Sequence, residues 1–207
     1  MNNLQDKYIW GKKCLCGEDA CDYFDEHVWL NEKIEKEVVC SFCGHKNVIN
    51  ILEAREYYNN LIYDCFKEAK GNVLDVGCGS GFLTKYLLDK KDVNSVVSID
   101  KDDDTDVKDM FMKIDLDDFD ERVFNKHFDY VVCRDVLMYL KDIDYTFSKL
   151  SKISDKIILL NWYNANHKNC LNKTNPEDVF KILVKYYKNI EISYPYFYKW
   201  GYLIKTK

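Results

Sequence analysis

A glycine-rich turn in the middle of the chain constrains the fold more than any other stretch. Residues 73–76 form a short apolar run typical of a buried strand, and Gly77, Gly79 and Gly81 follow at alternating positions. Glycine allows a tight turn and a close approach of the backbone to a ligand. A helix is predicted over residues 82–90, which gives a strand, a ligand-binding turn and a helix in succession.

Two classes of nucleotide cofactor bind at turns of this kind. A dinucleotide-binding turn follows the pattern G-x-G-x-x-G, and its third glycine would stand where this chain has Phe82. The observed pattern is D-x-G-x-G-x-G, with Asp75 two residues before the first glycine. A carboxylate there disfavours a pyrophosphate and favours a ligand that carries ammonium and sulfonium charges. This stretch resembles motif I of the class I S-adenosylmethionine (SAM)-dependent methyltransferases.

A second acid supports a nucleoside cofactor. Residues 95–100 form a predicted strand that ends in Asp100, nineteen residues beyond Gly81. A carboxylate at that place can accept hydrogen bonds from both ribose hydroxyls of an adenosine.

The resemblance extends the predicted cofactor site. In this family the acid after the third strand accepts from the adenine amino group and the next backbone N–H meets the ring, which implies Asp115 and Leu116. The full predicted cofactor-binding set is Asp75, Gly77, Cys78, Gly79, Gly81, Asp100, Lys101, Asp115, Leu116 and Arg134.

The region of the methyl acceptor departs from the family pattern. Many small-molecule methyltransferases read D-V-L-E-H-L after the fourth strand, but Met138 and Tyr139 stand here in place of Glu and His. The predicted acceptor pocket is instead the loop that begins at Trp162 and Tyr163, after the fifth strand. His167 in that loop is either a general base or an exposed loop histidine.

The predicted fold class is α/β, with a mostly parallel, seven-stranded Rossmann-like sheet and helices on both faces. Further helices are expected within residues 48–70, 142–151 and 176–187, and further strands at 111–117, 128–135, 156–161, 190–196 and 200–205. The resemblance implies the strand order 3-2-1-4-5-7-6, with strand seven antiparallel. We expect two domains, a module of residues 1–50 and a methyltransferase domain of residues 51–207.

The predicted N-terminal module is rich in cysteine. Cys14, Cys16, Cys40 and Cys43 form two pairs, each followed by a glycine, which is typical of thiolates that bind structural zinc on a tight turn. Cys21, His27 and His45 are alternative ligands, and the competing interpretations are reduced, partly buried thiols or a redox role for the second pair. The module resembles a zinc ribbon.

Charge and composition narrow the function. The formal net charge is −5, which argues weakly against a nucleic-acid substrate. We expect a cytoplasmic protein, since neither a signal peptide nor a membrane span is predicted. The expected activity is methyl transfer from SAM to a small molecule. The alternatives are an RNA or protein methyltransferase that docks through the zinc ribbon, a non-catalytic SAM-binding protein, and a nicotinamide oxidoreductase, which Phe82 disfavours. The oligomeric state is left open.

Overall fold

A computed structural model describes residues 8–9, 12–13, 35–39, 46–50, 59–162, 171, 174–195 and 201–206. The chain divides into two compact units, Met1–Asp64 and Cys65–Lys207. The predicted domain boundary after residue 50 stays a prediction.

The described residues of the first unit include two short antiparallel pairs of strands. β1 (Tyr8–Ile9) pairs with β2 (Lys12–Lys13), and β3 (Glu35–Val39) pairs with β4 (Lys46–Asn50). The predicted helix from residue 48 is therefore wrong for residues 48–50, because the β-branched pair in this segment joins a strand ladder. Helical structure is described at residues 59–65 (α1).

The second unit is built on a mixed sheet of seven strands. These are β5 (Gly71–Val76), β6 (Val93–Asp100), β7 (Phe111–Lys113), β8 (Tyr130–Arg134), β9 (Ile157–Trp162), β10 (Ile190–Ser193) and β11 (Gly201–Thr206). Their order in the sheet is β7-β6-β5-β8-β9-β11-β10. Strands β5 to β9 are parallel, and β11 is antiparallel to both of its neighbours. This confirms the implied order 3-2-1-4-5-7-6.

Among the described residues, three helices connect strands of the sheet: α2 (Phe82–Leu88), α3 (Ile143–Leu150) and α4 (Pro176–Leu183). Asp142 and Asn175 cap α3 and α4, since each side chain accepts a hydrogen bond from a backbone N–H of the first turn. The crossovers β5–α2–β6 and β8–α3–β9 run in opposite directions along the sheet. Right-handed crossovers of opposite direction place their helices on opposite faces.

The central strands are buried on both faces. In β5, Leu74 and Val76 belong to one apolar cluster with Val131 and Phe147, while Val73, whose side chain points to the other face, is also fully buried. A parallel sheet covered on both faces is the arrangement of α/β proteins. Within the described part of the chain, no helix has the length and apolar character needed to cross a membrane.

Candidate functional site

A cavity of about 770 Å³ opens at the carboxyl edge of the parallel strands. Open α/β sheets bind ligands at this edge, where the strand order reverses, and here the reversal lies between β5 and β8. The volume lies within the usual range for ligand pockets, about 300–1,000 Å³. The walls are formed by Gly77, Gly79, Ser80, Asp100, Lys101, Asp102, Asp104, Asp115, Leu116, Asp117, Asp135, Val136, Tyr139, Leu140, Lys141 and Leu171.

The glycine turn after β5 forms one wall of this cavity. Gly79 adopts φ +51°, and a Cβ atom placed there would meet no atom within 4 Å, so the backbone is exposed to open space. Gly81 adopts φ +84°, and a Cβ atom there would lie 2.6 Å from Val107 Cγ2. Gly79 therefore lets a ligand approach the backbone, whereas Gly81 lets the chain pack closely as α2 begins.

Asp100 lies on the wall next to the glycine turn. Its Oδ2 accepts a hydrogen bond from Gly79 N–H at 2.9 Å, and its Oδ1 accepts one from Asp102 N–H at 3.2 Å. A carboxylate has about four acceptor positions, so these two bonds orient the group and leave capacity for hydroxyl donors.

Asp75 lies beneath the turn and does not line the cavity. It is 1% exposed, and its Oδ2 accepts a hydrogen bond from Thr84 Oγ1 at 2.6 Å. Thr84 Oγ1 lies 2.9 Å from Ser98 Oγ, and since the threonine proton goes to Asp75, the serine hydroxyl is the donor of that bond. Burial raises the pKa of the Asp75 carboxyl from 3.8 to about 6; the Thr84 hydrogen bond opposes this rise and the charge of Asp100 adds to it.

The segment after β7 forms the far wall. Asp115 Oδ1 accepts a hydrogen bond from Asp117 N–H at 3.0 Å and thereby caps a 3₁₀ turn, Leu116–Asp118. This cap ends the extended segment at Lys113, so the strand predicted over residues 111–117 is wrong beyond that residue. Asp117 in turn binds Lys141, through the backbone N–H at 2.8 Å and through Nζ at 3.4 Å.

The exit of β8 completes the cavity. Asp135 adopts φ 55°, a left-handed conformation that is uncommon outside glycine, and its side chain is 22% exposed. Arg134 Nε lies 3.3 Å from Asp135 Oδ2, and Arg134 Cζ lies 5.5 Å from the ring centroid of Phe82. Tyr139 lies on the wall, while Met138 is buried.

The structure brings most of the predicted cofactor residues together. Gly77, Gly79, Asp100, Lys101, Asp115 and Leu116 line the cavity, whereas Asp75, Cys78, Gly81 and Arg134 do not. Burial raises the pKa of the Cys78 thiol to about 12, and the charges of Asp75 and Asp100 add to this effect. The thiol is therefore neutral and not a nucleophile.

Other predicted residues lie outside the part of the chain that the structure describes. These are Cys14, Cys16, Cys40, Cys43, Tyr163 and His167, with the alternative ligands Cys21, His27 and His45. Among the residues that are described, no group of three or more histidine, cysteine or acidic side chains is placed to hold a metal ion.

Asn161 is a residue that the sequence analysis missed. It is fully buried in β9; its Oδ1 accepts from Leu137 N–H at 3.2 Å, and its Nδ2 donates to Thr174 Oγ1 at 2.8 Å and to Tyr202 OH at 3.4 Å. These bonds tie the turn after β8 to the rest of the sheet. The available indication was a polar residue at the end of an apolar strand, which must find partners when buried.

The family profile of the methyltransferase domain matches residues 51–169, more than half of the chain. The chain belongs to this family. It is a SAM-dependent methyltransferase by family, which agrees with the cavity at the carboxyl edge of the sheet. No curated protein sequence matches the chain closely enough to indicate a nearer relative.

Solved structures of low sequence identity share the fold. A SAM-dependent methyltransferase from Archaeoglobus fulgidus is 16% identical over 68% of this chain and 72% of that chain, with a TM-score of 0.58. The N-methyltransferase NodS from Bradyrhizobium japonicum WM9 is 17% identical over 73% of this chain and 93% of that one, with a TM-score of 0.50. EvdMO1 is 15% identical over 76% of this chain, with a TM-score of 0.49. The aligned part covers 41% of the EvdMO1 chain.

Proposed function

We propose that this chain transfers a methyl group from SAM to a small-molecule acceptor by in-line displacement. The observation that carries the proposal is Asp100, a carboxylate oriented by Gly79 N–H on the wall of a cavity that the glycine turn lines. Membership of the methyltransferase family supplies the cofactor class.

The residues around the cavity suit an adenosyl ligand. Asp100 retains acceptor positions for the two ribose hydroxyls. Asp115, held by its hydrogen bond to Asp117 N–H, would accept from the adenine amino group, and Leu116 would contact the ring. The open space over Gly79 leaves room for the ligand against the backbone.

In this reaction the protein contributes mainly orientation and exclusion of water. SAM, when bound, supplies an activated methyl carbon on a positively charged sulfur. The chain would then hold the donor and acceptor in line and exclude water from the cavity, the contributions that make a bimolecular displacement effectively intramolecular. The buried carboxylate of Asp75 beneath the turn would favour the positively charged end of the cofactor.

The charge of the cavity favours a small molecule over nucleic acid. Its walls carry six aspartates and two lysines, and Lys141 is already paired with Asp117. A phosphate backbone would meet net negative charge here, whereas nucleic-acid sites are basic.

Turnover tests the proposal. Purified protein is incubated with SAM and fractions of a metabolite extract, and S-adenosylhomocysteine (SAH) is measured by mass spectrometry together with the mass gain of the acceptor. We expect SAH to form with a low-molecular-weight fraction. SAH formation with the protein or RNA fraction alone would refute the small-molecule acceptor, and SAM binding without SAH from any fraction would refute catalysis.

We further propose that residues 1–50 form a separate zinc-binding module with Cys14, Cys16, Cys40 and Cys43 as ligands. The support is sequence position: the first pair directly follows β2, and the second lies in the six-residue connection between the paired strands β3 and β4. Thiolates on hairpin connections are typical of structural zinc sites. Such thiolates need a reducing compartment, so a cytoplasmic location is part of this proposal.

Metal analysis tests the zinc module. Wild-type protein should contain about one zinc per chain, and a Cys40→Ser, Cys43→Ser double variant should lose it while still binding SAM. Cys170→Ser is the control for loss of a thiol. Unchanged zinc in the double variant, or no zinc in the wild type, would refute the site.

A further inference from the structure

We propose that Asp135 orients the methyl acceptor and that the group methylated is an amine. Arg134 and Phe82 position the carboxylate of Asp135. This inference rests on the proposed methyl transfer and deepens it by naming the substrate class.

Asp135 lies on the side of the cavity away from the proposed cofactor-binding residues. The glycine turn follows β5, Asp100 ends β6 and Asp115 follows β7, all on one side of the point where the strand order reverses. Asp135 follows β8, on the other side of that point. A ligand seated against the first three walls therefore has Asp135 facing its remaining side.

The backbone at Asp135 is held in an unusual conformation. The φ of 55° is unfavourable for a residue with a Cβ atom. Its N–H donates to Leu160 O at 2.9 Å, which anchors this conformation to the neighbouring strand. Such conformations persist where the surrounding structure imposes them and are concentrated at functional sites.

The side chain of Asp135 is in ionic contact with Arg134, which does not itself line the cavity. Arg134 Nε lies 3.3 Å from its Oδ2, and the guanidinium itself lies over the Phe82 ring, at 5.5 Å from Cζ to the centroid. An arginine stacked on an aromatic ring is held in place by cation–π attraction. Phe82 stands where a dinucleotide-binding turn has its third glycine. Its role here is to help position the carboxylate of Asp135 through Arg134.

The neighbouring walls select an amine with an apolar body. Lys141, the cation on this side of the cavity, is paired with Asp117, so it does not offset Asp135. Tyr139, Leu140 and Leu171 supply aromatic and apolar surface beside it. Arg134 offsets part of the charge of Asp135, but the cavity walls carry six aspartates and only two lysines, so an anionic acceptor would be repelled.

Asp135 acts by orientation. The amine enters as an ammonium and releases one proton to water. The resulting neutral amine donates an N–H to Asp135, which turns the nitrogen lone pair toward the methyl carbon. The new N–C bond forms as the S–C bond breaks, and the electron pair of the broken bond stays on sulfur, which becomes a neutral thioether. The methylated ammonium then loses its proton to water.

Binding to the SAH-loaded protein tests the inference with three probes of similar shape: 2-phenylethylamine, 2-phenylethanol and 3-phenylpropionate. We expect the wild type to bind the amine at least about tenfold more tightly than the alcohol, the effect of one hydrogen bond to a charged group. The propionate should bind most weakly. Calorimetry or ligand-observed NMR gives the ratios.

Matched variants separate this role from a structural one. Asp135→Asn should abolish the preference for the amine while the protein stays folded, because asparagine also tolerates the left-handed conformation. Phe82→Leu keeps an apolar side chain but removes the stacking partner of Arg134, so it should reduce the preference in part. Asp103→Asn is the control, since Asp103 is 77% exposed and does not line the cavity.

The outcomes distinguish this inference from the proposed function. A wild type that binds SAH but shows no preference for the amine, or no binding of it, overturns the inference alone. An Asp135→Asn variant that keeps the preference also overturns it. Failure of the wild type to bind SAM or SAH overturns the proposed function. If Asp135→Asn does not fold, Phe82→Leu provides the test. An unchanged preference for the amine in Phe82→Leu overturns the inference that Phe82 and Arg134 position Asp135.

Discussion

Replacing the buried carboxylate beneath the glycine turn should make the ligand-free protein more stable. Asp75 is 1% exposed, and its hydrogen bonds run through Thr84 to Ser98. Asp75→Asn keeps the same shape, and its amide oxygen can still accept the Thr84 proton. The substitution therefore removes a buried charge without breaking the hydrogen-bond chain.

The size and the pH range of the effect follow from the pKa of Asp75. In the unfolded chain this carboxyl ionises near 3.8, and in the folded chain near 6. Between these pH values the folded state binds the extra proton, so its stability falls as pH rises, and above about 6 the loss is complete. A change from 3.8 to about 6 corresponds to about 3 kcal/mol. Asp75→Asn should gain up to about that amount at pH 7.5 and nothing at pH 3.5.

Urea denaturation of the wild type and of Asp75→Asn across this pH range checks the prediction. Asp89→Asn, a change at an exposed helix end, is the control and should not alter the pH dependence. SAM affinity should fall in Asp75→Asn, and SAH affinity should fall less because SAH lacks the sulfonium charge. If the variant is equally or less stable than the wild type at pH 7.5, ionisation of the buried Asp75 carboxyl does not destabilise the folded protein.

Two further substitutions test the buried support of the site and its glycine wall. Asn161→Leu should cost about 3 kcal/mol in urea denaturation, because Leu137 N–H and the Thr174 hydroxyl lose a buried partner; an unchanged midpoint would contradict the role of Asn161. Gly79→Ala should cost only about 1 kcal/mol in stability, from the left-handed backbone, yet weaken SAM binding strongly, because the added methyl enters open space at the wall. Undiminished SAM affinity in Gly79→Ala would contradict the proposed position of the cofactor.

The sequence indicates the glycine turn and Asp100 through local pattern, and their role in binding the cofactor stays a prediction. The turn from Gly77 to Gly81 has positive φ angles that favour glycine. Asp100 stands at the end of an apolar strand, nineteen residues beyond Gly81. Family resemblance then supplied the strand order, which local pattern alone does not determine. The structure agrees with that order and places Asp100 and Asp115 on one cavity.

Two predictions of secondary structure failed, one because of strand pairing and one because of a local cap. Residues 48–50 have a pattern compatible with a helix, but pairing with β3 makes them a strand. The segment before Asp115 is shorter than its apolar pattern suggests, because the aspartate caps a 3₁₀ turn. Arg134 ends β8 and does not line the cavity, and its predicted contact with the cofactor stays a prediction.

The acceptor side was the least predictable part. Met138 and Tyr139 replace the usual acid and base, and the sequence alone offered His167 as a substitute, which stays a prediction. The structure instead draws attention to Asp135, whose left-handed backbone and contact with Arg134 have no local sequence pattern.

Calorimetric titration of the protein with SAM and with NAD tests the central claim most directly. Asp100→Asn serves as the matched variant, because Asp100 is the carboxylate proposed to accept the ribose hydroxyls. We expect SAM to bind, NAD to show no measurable heat, and Asp100→Asn to weaken SAM at least about tenfold. Tight binding of NAD without SAM, or full SAM affinity in Asp100→Asn, would contradict the account.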